Sequence, residues 1–479
     1  MSINRPIYTT DEIRRIETAA GGPVPGLMER AGRAAAELAA RLAGERGKDV
    51  LVLAGPGNNG GDARIAAGHL KEMFFRVAVA TTPAEVPTDR RWGLVIDGLF
   101  GIGLARPLEG DYAKLVELAN SQRCPVLALD IPSGIESDTG RVLGKAVRAT
   151  HTLTFIALKP GLLTLDGPDH CGELSVADLG LEVAKLAPPN GWRADPASFA
   201  GVLRPRPRNF HKGMAGSLAI IGGAAGMTGA ALLAGRAALR LGAGRVYVGL
   251  LAADAPSLDP GALELMLRHP DDALGLELDA LVVGPGLGPG ERGETLLGAA
   301  LASDIPCVLD ADALNLLSTN DDLKRACARR RADTLLTPHP AEAARLLGCH
   351  TADVQRDRLA AARRLAAEYV AHTVLKGNGS IVAATDGHWF INTSGNPGMA
   401  SAGMGDVLAG ILGALLAQGY SGESAAALGT HLHGCAADEL AAHGTGPVGL
   451  TAGELVDPAR RLWNSWLASQ SGRMPSTSA

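Results

Sequence analysis

Gly395-Asn-Pro-Gly-Met-Ala-Ser-Ala-Gly-Met-Gly-Asp-Val-Leu-Ala-Gly410 places glycines at 395, 398, 403 and 405 and an aspartate at 406. A helical apolar spacing follows at Val407, Leu408, Ile411, Leu412, Leu415 and Leu416. Glycines let backbone approach an anion with no Cβ in the way. A helix N-terminus offers unpaired N–H groups and the positive end of a dipole. Together they form a phosphate site. A carboxylate in the first helical turn is placed to take a proton from a hydroxyl about to receive a phosphoryl group. The stretch therefore predicts a glycine turn opening a helix, and points to a phosphate donor and a hydroxyl acceptor.

Working outward, strands and helices alternate on both sides of it. Upstream lie the apolar runs Ser217–Ile221, Arg245–Leu251, Leu281–Gly284, Cys307–Asp310, Thr334–Thr337, Thr373–Leu375 and Ser380–Ala384. Helices are expected from Asp406 to about 442 and from Thr451 to about 467. The first half repeats the alternation. A helical stretch over 8–46 precedes strands at Val50–Ala54, Val77–Ala80, Leu94–Ile96 and Val126–Leu129, with helices over about 62–73 and 111–120. Continuous apolar strands between helices predict parallel sheets covered on both faces, so the expected class is α/β with two three-layer αβα domains. Pro188-Pro189-Asn190-Gly191 and the proline-spaced Arg204, Arg206 and Arg208 bracket a boundary near residue 200. The expected domains are 1–200 and 201–467, with a disordered Ser-rich tail over 468–479. Arg204–Arg208 reads as a solvated linker or entry strand, with a phosphate contact as the alternative.

At 479 residues the chain exceeds one ordinary core, and 46% apolar residues suffice for two. A net charge of −5 leaves no basic footprint for nucleic acid and no polybasic membrane signal. Six cysteines without C-x-x-C spacing read as reduced thiols. The N-terminus lacks the apolar core of a signal peptide, and no run reaches the length of a membrane span. A cytoplasmic, homo-oligomeric enzyme is expected.

In the first half, Gly55-Pro-Gly57-Asn58-Asn59-Gly60-Gly61-Asp62 joins a strand to a helix. Gly55, Gly57 and Gly60 satisfy G-x-G-x-x-G, but the next strand ends Ala80-Thr81-Thr82 and lacks the acidic residue a dinucleotide-binding Rossmann unit wants. Adjacent amides at Asn58 and Asn59 can donate and accept in a glycine turn. A structural turn capped through Asp62 is the alternative. Asp97 and Asp130 end neighbouring strands, where open α/β sheets bind ligands, and Ser133 can join a carboxylate around a hard cation. With Leu27-Met-Glu-Arg-Ala-Gly32, Asp97-Gly-Leu-Phe-Gly-Ile-Gly103, Asp130-Ile-Pro-Ser-Gly134 and Leu158-Lys-Pro-Gly161, this half resembles the NAD(P)H-hydrate epimerase family, a Rossmann-like domain. The resemblance implies that Asn58, Asn59, Gly60, Gly61 and Asp62, with Gly101, Ile102, Gly103, Leu104, Ala105, Arg106 and Pro107, bind the hydrated dinucleotide. It implies K+ at Asn59, Asp97 and Ser133, and a catalytic, substrate-contacting Asp130. Lys159 matches a family lysine. Ala63 departs from the family, where glycine is common, and its methyl is expected to crowd the turn slightly.

In the second half, glycine-rich or acidic segments again end strands: Gly222–Ala230, Gly284–Gly288, Asp310-Ala-Asp312, Thr337-Pro-His339 with Glu342, and Lys376–Ser380. Singly each has a structural reading as a turn, a helix cap or a satisfied loop residue. Together they point to a ligand. No G-x-x-x-x-G-K-[ST] loop is present. His431, His433 and Cys435 at i, i+2 and i+4 do not share one helix face and are not expected to hold a metal. The segments, with Asn396–Gly410, resemble ribokinase-like NAD(P)H-hydrate dehydratases dependent on ADP or ATP. The resemblance implies that Lys376, Gly377, Asn378, Gly379, Ser380 and Gly405 bind the adenine nucleotide. It implies that Ala230, Gly286, His339 and Asp406 bind the hydrated cofactor, with Asp406 catalytic and Mg2+ accompanying ADP. Glu342 falls where the fold places a magnesium-linked glutamate. Ala402 and Met404 depart from the family's glycine and threonine, and Met404 removes a hydroxyl from the phosphate turn.

United, the halves imply repair of hydrated NADH and NADPH. The R and S hydrates are interconverted, then the S hydrate is dehydrated at the expense of ADP, with ATP as the alternative nucleotide. A small-molecule kinase with an accessory domain, and a non-catalytic first half, are the competing readings.

Overall fold

The computed structural model describes residues 6–21, 26–44, 47–195 and 199–471. The chain divides into two compact units, one ending at Trp192 and the other beginning at Arg193. The expected boundary near residue 200 lies slightly downstream of that division.

The first unit is built on a six-stranded, wholly parallel sheet. Its order is Arg76–Ala80, Asp49–Ala54, Leu94–Gly98, Val126–Leu129, His151–Phe155 and Glu173–Ala177. Strand alternation assigns Val50 and Val52 to one face and Leu51 and Leu53 to the other. The first face is covered by helices Thr10–Ala19, Leu27–Ala43 and Asn58–Glu72. The second face packs on helix Gly110–Ser121 through Leu115 and Val116. Small residues replace aromatic packing. Ala31, Ala35 and Ala39 face Ala63, Ala66 and Ala67, and a Cβ on Gly32 would fall 2.4 Å from the Ile65 Cγ2. The single helical stretch expected over 8–46 is instead two helices, ending at Ala19 and restarting at Leu27.

Asp49–Ala54 pairs with Arg76–Ala80 on one side and Leu94–Gly98 on the other, so the winding reverses beside it. Ligands of open α/β sheets bind at the carboxyl ends of strands at such a reversal.

The second unit follows the same logic on a larger scale. In spatial order its strands run Trp389–Asn392, Ser380–Ala383, His372–Leu375, Thr334–Leu336, Cys307–Leu309, Ala280–Val283, Ser217–Gly222, Arg245–Leu250 and, at the edge, Met266–Arg268. Those from His372–Leu375 onward are parallel, and the first two are added antiparallel. The winding reverses between Ser217–Gly222 and Ala280–Val283.

Helix Met404–Ala417 runs through the core beside these strands. Every residue of it is buried except Gly405 and Asp406. Gly410 permits close approach to helix Thr228–Arg240, since a Cβ there would sit 2.1 Å from the Ala234 carbonyl oxygen. The helical run expected from 406 to 442 is broken. Gly419 takes φ 80°, and Ser421 caps a new helix, Gly422–Ala442, by accepting from the Ser424 N–H. The last helix spans Val456–Ser471, and residues 472–479 of the expected tail lie outside the described residues. Among the described residues no helix is long and apolar enough to cross a membrane.

Candidate active sites

In the first unit, Gly55–Gly57 leads into helix Asn58–Glu72, Leu99–Gly103 follows Leu94–Gly98, and Asp130–Ser133 follows Val126–Leu129. These loops line a cavity of about 400 Å3, with Asn58, Asn59, Asp62, Gly101, Ile102, Gly103, Asp130 and Lys159 in its walls. Asp130 adopts a left-handed backbone, φ 65°, uncommon for a residue with a Cβ. Its carboxylate accepts from Lys159 Nζ at 2.5 Å and from the Ile102 N–H at 3.1 Å. Lys159 is buried and also donates to Thr154 Oγ1 and the Phe155 carbonyl, both at 2.8 Å. All three ammonium protons are thus committed, which fixes the lysine against Asp130. Gly101 makes room for that carboxylate: a Cβ there would lie 2.6 Å from Asp130 Oδ2.

Asp97 is fully buried. It accepts from Ser133 Oγ at 2.6 Å, from the Ser133 N–H at 2.8 Å and from the Leu99 N–H at 3.2 Å. Burial raises its pKa to about 6 against the opposing effect of those hydrogen bonds. Asn59 donates to the Leu129 carbonyl at 3.1 Å, while its buried Oδ1 has no donor among the described residues. An unmet buried acceptor costs about 1–3 kcal/mol. Phe100 N–H donates to Ser133 Oγ at 2.9 Å, and the next residue, Gly101, abuts Asn59. The three residues are therefore gathered around one loop. An orphaned amide oxygen beside a carboxylate and a hydroxyl is a donor set that fits a hard cation such as K+.

Of the expected dinucleotide loop, Gly101–Gly103 line the cavity. Leu104 is instead buried in the core, and Ala105, Arg106 and Pro107 are exposed outside the cavity walls. Gly60 and Gly61 belong to the first helical turn, where a Cβ on Gly60 would meet the Gly55 carbonyl oxygen at 2.0 Å. The Ala63 methyl is fully buried against Gly98, whose missing Cβ provides its space. The crowding expected at Ala63 is thereby relieved.

In the second unit, residues 66 positions apart form the centre of the site. Lys376 Nζ donates to Asp310 Oδ1 at 2.8 Å and lies 3.9 Å from Glu342 Oε2. Gly405 rests on this pair: a Cβ there would be 3.3 Å from both Asp310 Oδ2 and Lys376 Nζ. Asp406 follows at the open start of the core helix, whose N-cap Gly403 takes φ 87°. Burial, then Asp310 and Asp312, push the Asp406 pKa up to about 6, against the attraction of Lys376. Burial works against the charge of Lys376, but Asp310, Glu342 and Asp406 outweigh it and raise its pKa. Burial also raises the Glu342 pKa. Three carboxylates around one ammonium leave net negative charge, a balance that fits Mg2+ accompanying a nucleotide.

The flanking loops are tied together. Ala224 N–H donates to the Gly286 carbonyl at 2.6 Å, Gly288 N–H donates to Asp312 Oδ2 at 2.8 Å, and Gly286 faces Ala230. His339 caps helix Pro340–Leu347 and accepts at Nδ1 from the N–H groups of Ala341 and Glu342. Gly377, at φ 142°, begins the turn before Ser380, whose Oγ accepts from the Gly377 N–H at 3.2 Å. Met404 is buried in the core, so its side chain does not face the phosphate turn. His431 bonds to Asn392 Oδ1 and Cys435, at 3.0 and 3.3 Å, while the buried Nε2 of His433 has no partner among the described residues.

Sequence reasoning passed over Arg358, which is 2% exposed. It donates to the carbonyls of Leu375 and Lys376 at 3.3 Å and lies against Gly377, so it braces the Lys376–Ser380 turn from behind. Burial lowers its pKa to about 10. Arg14 and Glu17, which line the first cavity from helix Thr10–Ala19, also carried no motif.

Comparison with known proteins gives consistent results for both units. Family models match residues 218–458 as NAD(P)H-hydrate dehydratase, and residues 25–93 and 81–161 as YjeF-related protein N-terminus. The bifunctional NAD(P)H-hydrate repair enzyme Nnr of Escherichia coli (strain K12) is 38% identical over 100% of this chain and 98% of its own. The bifunctional NAD(P)H-hydrate repair enzyme of Leishmania major is 37% identical over 94% of this chain and 92% of its own. Among solved structures, the ADP/ATP-dependent NAD(P)H-hydrate dehydratase of Bacillus subtilis, co-crystallised with ATP and Mg2+, superposes with a TM-score of 0.51. It is 29% identical and covers 57% of this chain and 98% of its own.

Proposed function

The chain belongs to the bifunctional NAD(P)H-hydrate repair enzymes, and on that premise we propose how its residues divide the work. The enzyme carries an epimerase domain followed by a dehydratase domain. Its substrates are reduced nicotinamide dinucleotides that have gained water at C6, in either configuration.

In our reading the dehydratase takes the S hydrate. Hydroxide is a poor leaving group and phosphate a good one. Asp406 removes the C6 hydroxyl proton as that oxygen accepts a phosphoryl group from ADP, which leaves as AMP. The ring nitrogen's lone pair then expels phosphate and restores the double bond. Backbone N–H groups of the Gly403–Gly405 turn receive the developing charge. Lys376, Gly377, Asn378, Gly379, Ser380 and Gly405 hold the nucleotide, and Ala230, Gly286 and His339 position the hydrate. Glu342 would hold Mg2+, which would supply charge neutralisation on the phosphates.

In the epimerase, Asp130 acts at the C6 oxygen, held by Lys159. Asn58–Asp62 and Gly101–Gly103 seat the hydrate, with Leu104–Pro107 continuing that loop. Asn59, Asp97 and Ser133 would hold K+, which would supply a fixed charge that orders the loops.

The observation carrying this reading is the convergence of Gly405 and Asp406 on the Asp310–Lys376 pair at the carboxyl ends of the sheet. The test is a mixed hydrate preparation incubated with purified protein and ADP or ATP. Full recovery of the reduced-nicotinamide absorbance is expected. A stable phosphorylated hydrate in the mass spectrum would make the second unit a kinase instead. Conversion halting at one isomer would remove the epimerase.

A further inference from the structure

Five ionisable side chains line the cavity of the first unit: Arg14, Glu17, Asp62, Asp130 and Lys159. Asp130 and Lys159 are locked to each other, and Arg14 lies 3.7 Å from Asp11. Glu17 also has no hydrogen-bond or ion-pair partner among the described residues, but it is exposed, and Asp62 is the buried unpaired carboxyl of the set. It is 8% exposed, it faces the cavity, and among the described residues no hydrogen bond or ion pair reaches its carboxyl. A mostly buried carboxyl that opens only on a cavity favours its neutral form or a ligand that engages it. It lies on helix Asn58–Glu72, whereas Asp130 lies beyond Val126–Leu129, so the two carboxyls enter the cavity from different elements.

Inversion at C6 through loss and return of water needs a proton delivered where oxygen leaves and removed where oxygen arrives. These events occur on different faces of the ring, and one fixed carboxyl serves one of them. Resting on the epimerase reading above, we propose that Asp62 is the second acid–base group of that reaction, working at one ring face while Asp130 works at the other. In one direction the C6–O bond breaks with its electron pair on oxygen, which takes the Asp62 proton and departs as water. The N1 lone pair forms N1=C6. A water then adds to the other face, the π pair returns to N1, and Asp130 takes the proton. The balance is one oxygen exchanged with solvent and one proton moved from Asp62 to Asp130, which solvent restores.

The electrostatics agree with the geometry. Burial, then the charges of Asp130 and Glu17, raise the Asp62 pKa to about 8, so it holds its proton at neutral pH. Two carboxyls in one cavity, one bound to a lysine and one unpaired, make the usual division between base and acid.

The test uses the full chain without nucleotide, so that the dehydratase is silent, and follows the two hydrates by chromatography in 18O-labelled water. Each interconversion by the unaltered enzyme should introduce one labelled oxygen. Asp62→Asn should lower the rate by about 100-fold or more, with nucleotide-dependent dehydration of the S hydrate, the work of the other unit, retained. Asp62→Glu should recover part of the rate, and the fall in rate above about pH 8 should be present only where a carboxyl occupies this position. Interconversion without label would mean that the ring opens at N1–C6, and would overturn the proposal. So would an Asp62→Asn enzyme within a few-fold of the original. If the unaltered enzyme fails to interconvert the hydrates at all, the epimerase reading itself falls.

Discussion

Replacing Asp406 by asparagine removes the proposed base while keeping its shape. A positioned general base contributes about 10²–10⁴ in rate, or roughly 3–5 kcal/mol of barrier. Asp406→Asn should therefore lower nucleotide-dependent recovery of the reduced-nicotinamide absorbance by that factor, measured on the S hydrate with saturating ADP. The unaltered enzyme supplies an independent check. The carboxyl titrates near pH 6 because burial and neighbouring carboxylates favour its neutral form, and the base is active only when ionised. As pH falls through that value activity is lost, so kcat/KM should drop about tenfold between pH 7 and pH 5. Lys376 pulls the same pKa down. In Lys376→Met the acid limb should move to higher pH, whatever happens to nucleotide affinity. A flat profile between pH 5 and 7, a limb that moves to lower pH in Lys376→Met, or an Asp406→Asn enzyme within tenfold of the original would refute the role.

Arg358→Met leaves the Leu375 and Lys376 carbonyls without their buried donor, and the nucleotide KM should rise roughly tenfold, about 1.4 kcal/mol. Hydrate interconversion, measured separately, should be untouched; an unchanged nucleotide KM would deny Arg358 its bracing role. Gly98→Ala places a Cβ 2.4 Å from the Ala63 methyl and should destabilise the first unit by about 1–3 kcal/mol in urea melts. Adding Ala63→Gly should recover most of that loss, and strict additivity of the two changes would show that they do not share the space. Replacing K+ by tetramethylammonium should slow interconversion reversibly, and Asn59→Ala should abolish the cation dependence. A rate indifferent to the cation would remove K+ from the site.

Much of this molecule is legible from local pattern. The Gly403–Asp406 turn, the strands ending at Asp97, Asp130 and Asp310, and the parallel winding all follow from apolar runs punctuated by glycine and carboxylate. What pattern withholds is pairing at long range. Nothing near Asp310 announces Lys376, and nothing near Asp130 announces that Lys159 spends all three protons on buried acceptors. Arg358, in an alanine-rich helix, looks like any solvated arginine until tertiary packing removes it from water. The fit between Ala63 and Gly98 is equally silent, because each residue is unremarkable alone. Helix ends are also hidden where helical composition continues across a break, as at Gly419, whose left-handed backbone ends one helix before the next begins. Leu104 illustrates the opposite limit. It follows the cavity-lining glycines directly, yet its side chain turns into the core.

Asp62 has a consequence for folding as well. In an unfolded chain its carboxyl ionises near pH 4, whereas in the folded unit it holds its proton to about pH 8. A group whose pKa is raised by folding adds its stability below the unfolded value, and that stability drains away as pH rises through the folded one. Across that window the epimerase unit loses up to about 1.4 kcal/mol per pH unit from this residue alone. The unpaired carboxyl that suits the cavity for proton transfer therefore makes the unit steadiest in mild acid and has withdrawn most of that stability once the pH reaches about 8, and Asp62→Asn should buffer the unit's melting temperature between about pH 5 and 8 while silencing its chemistry.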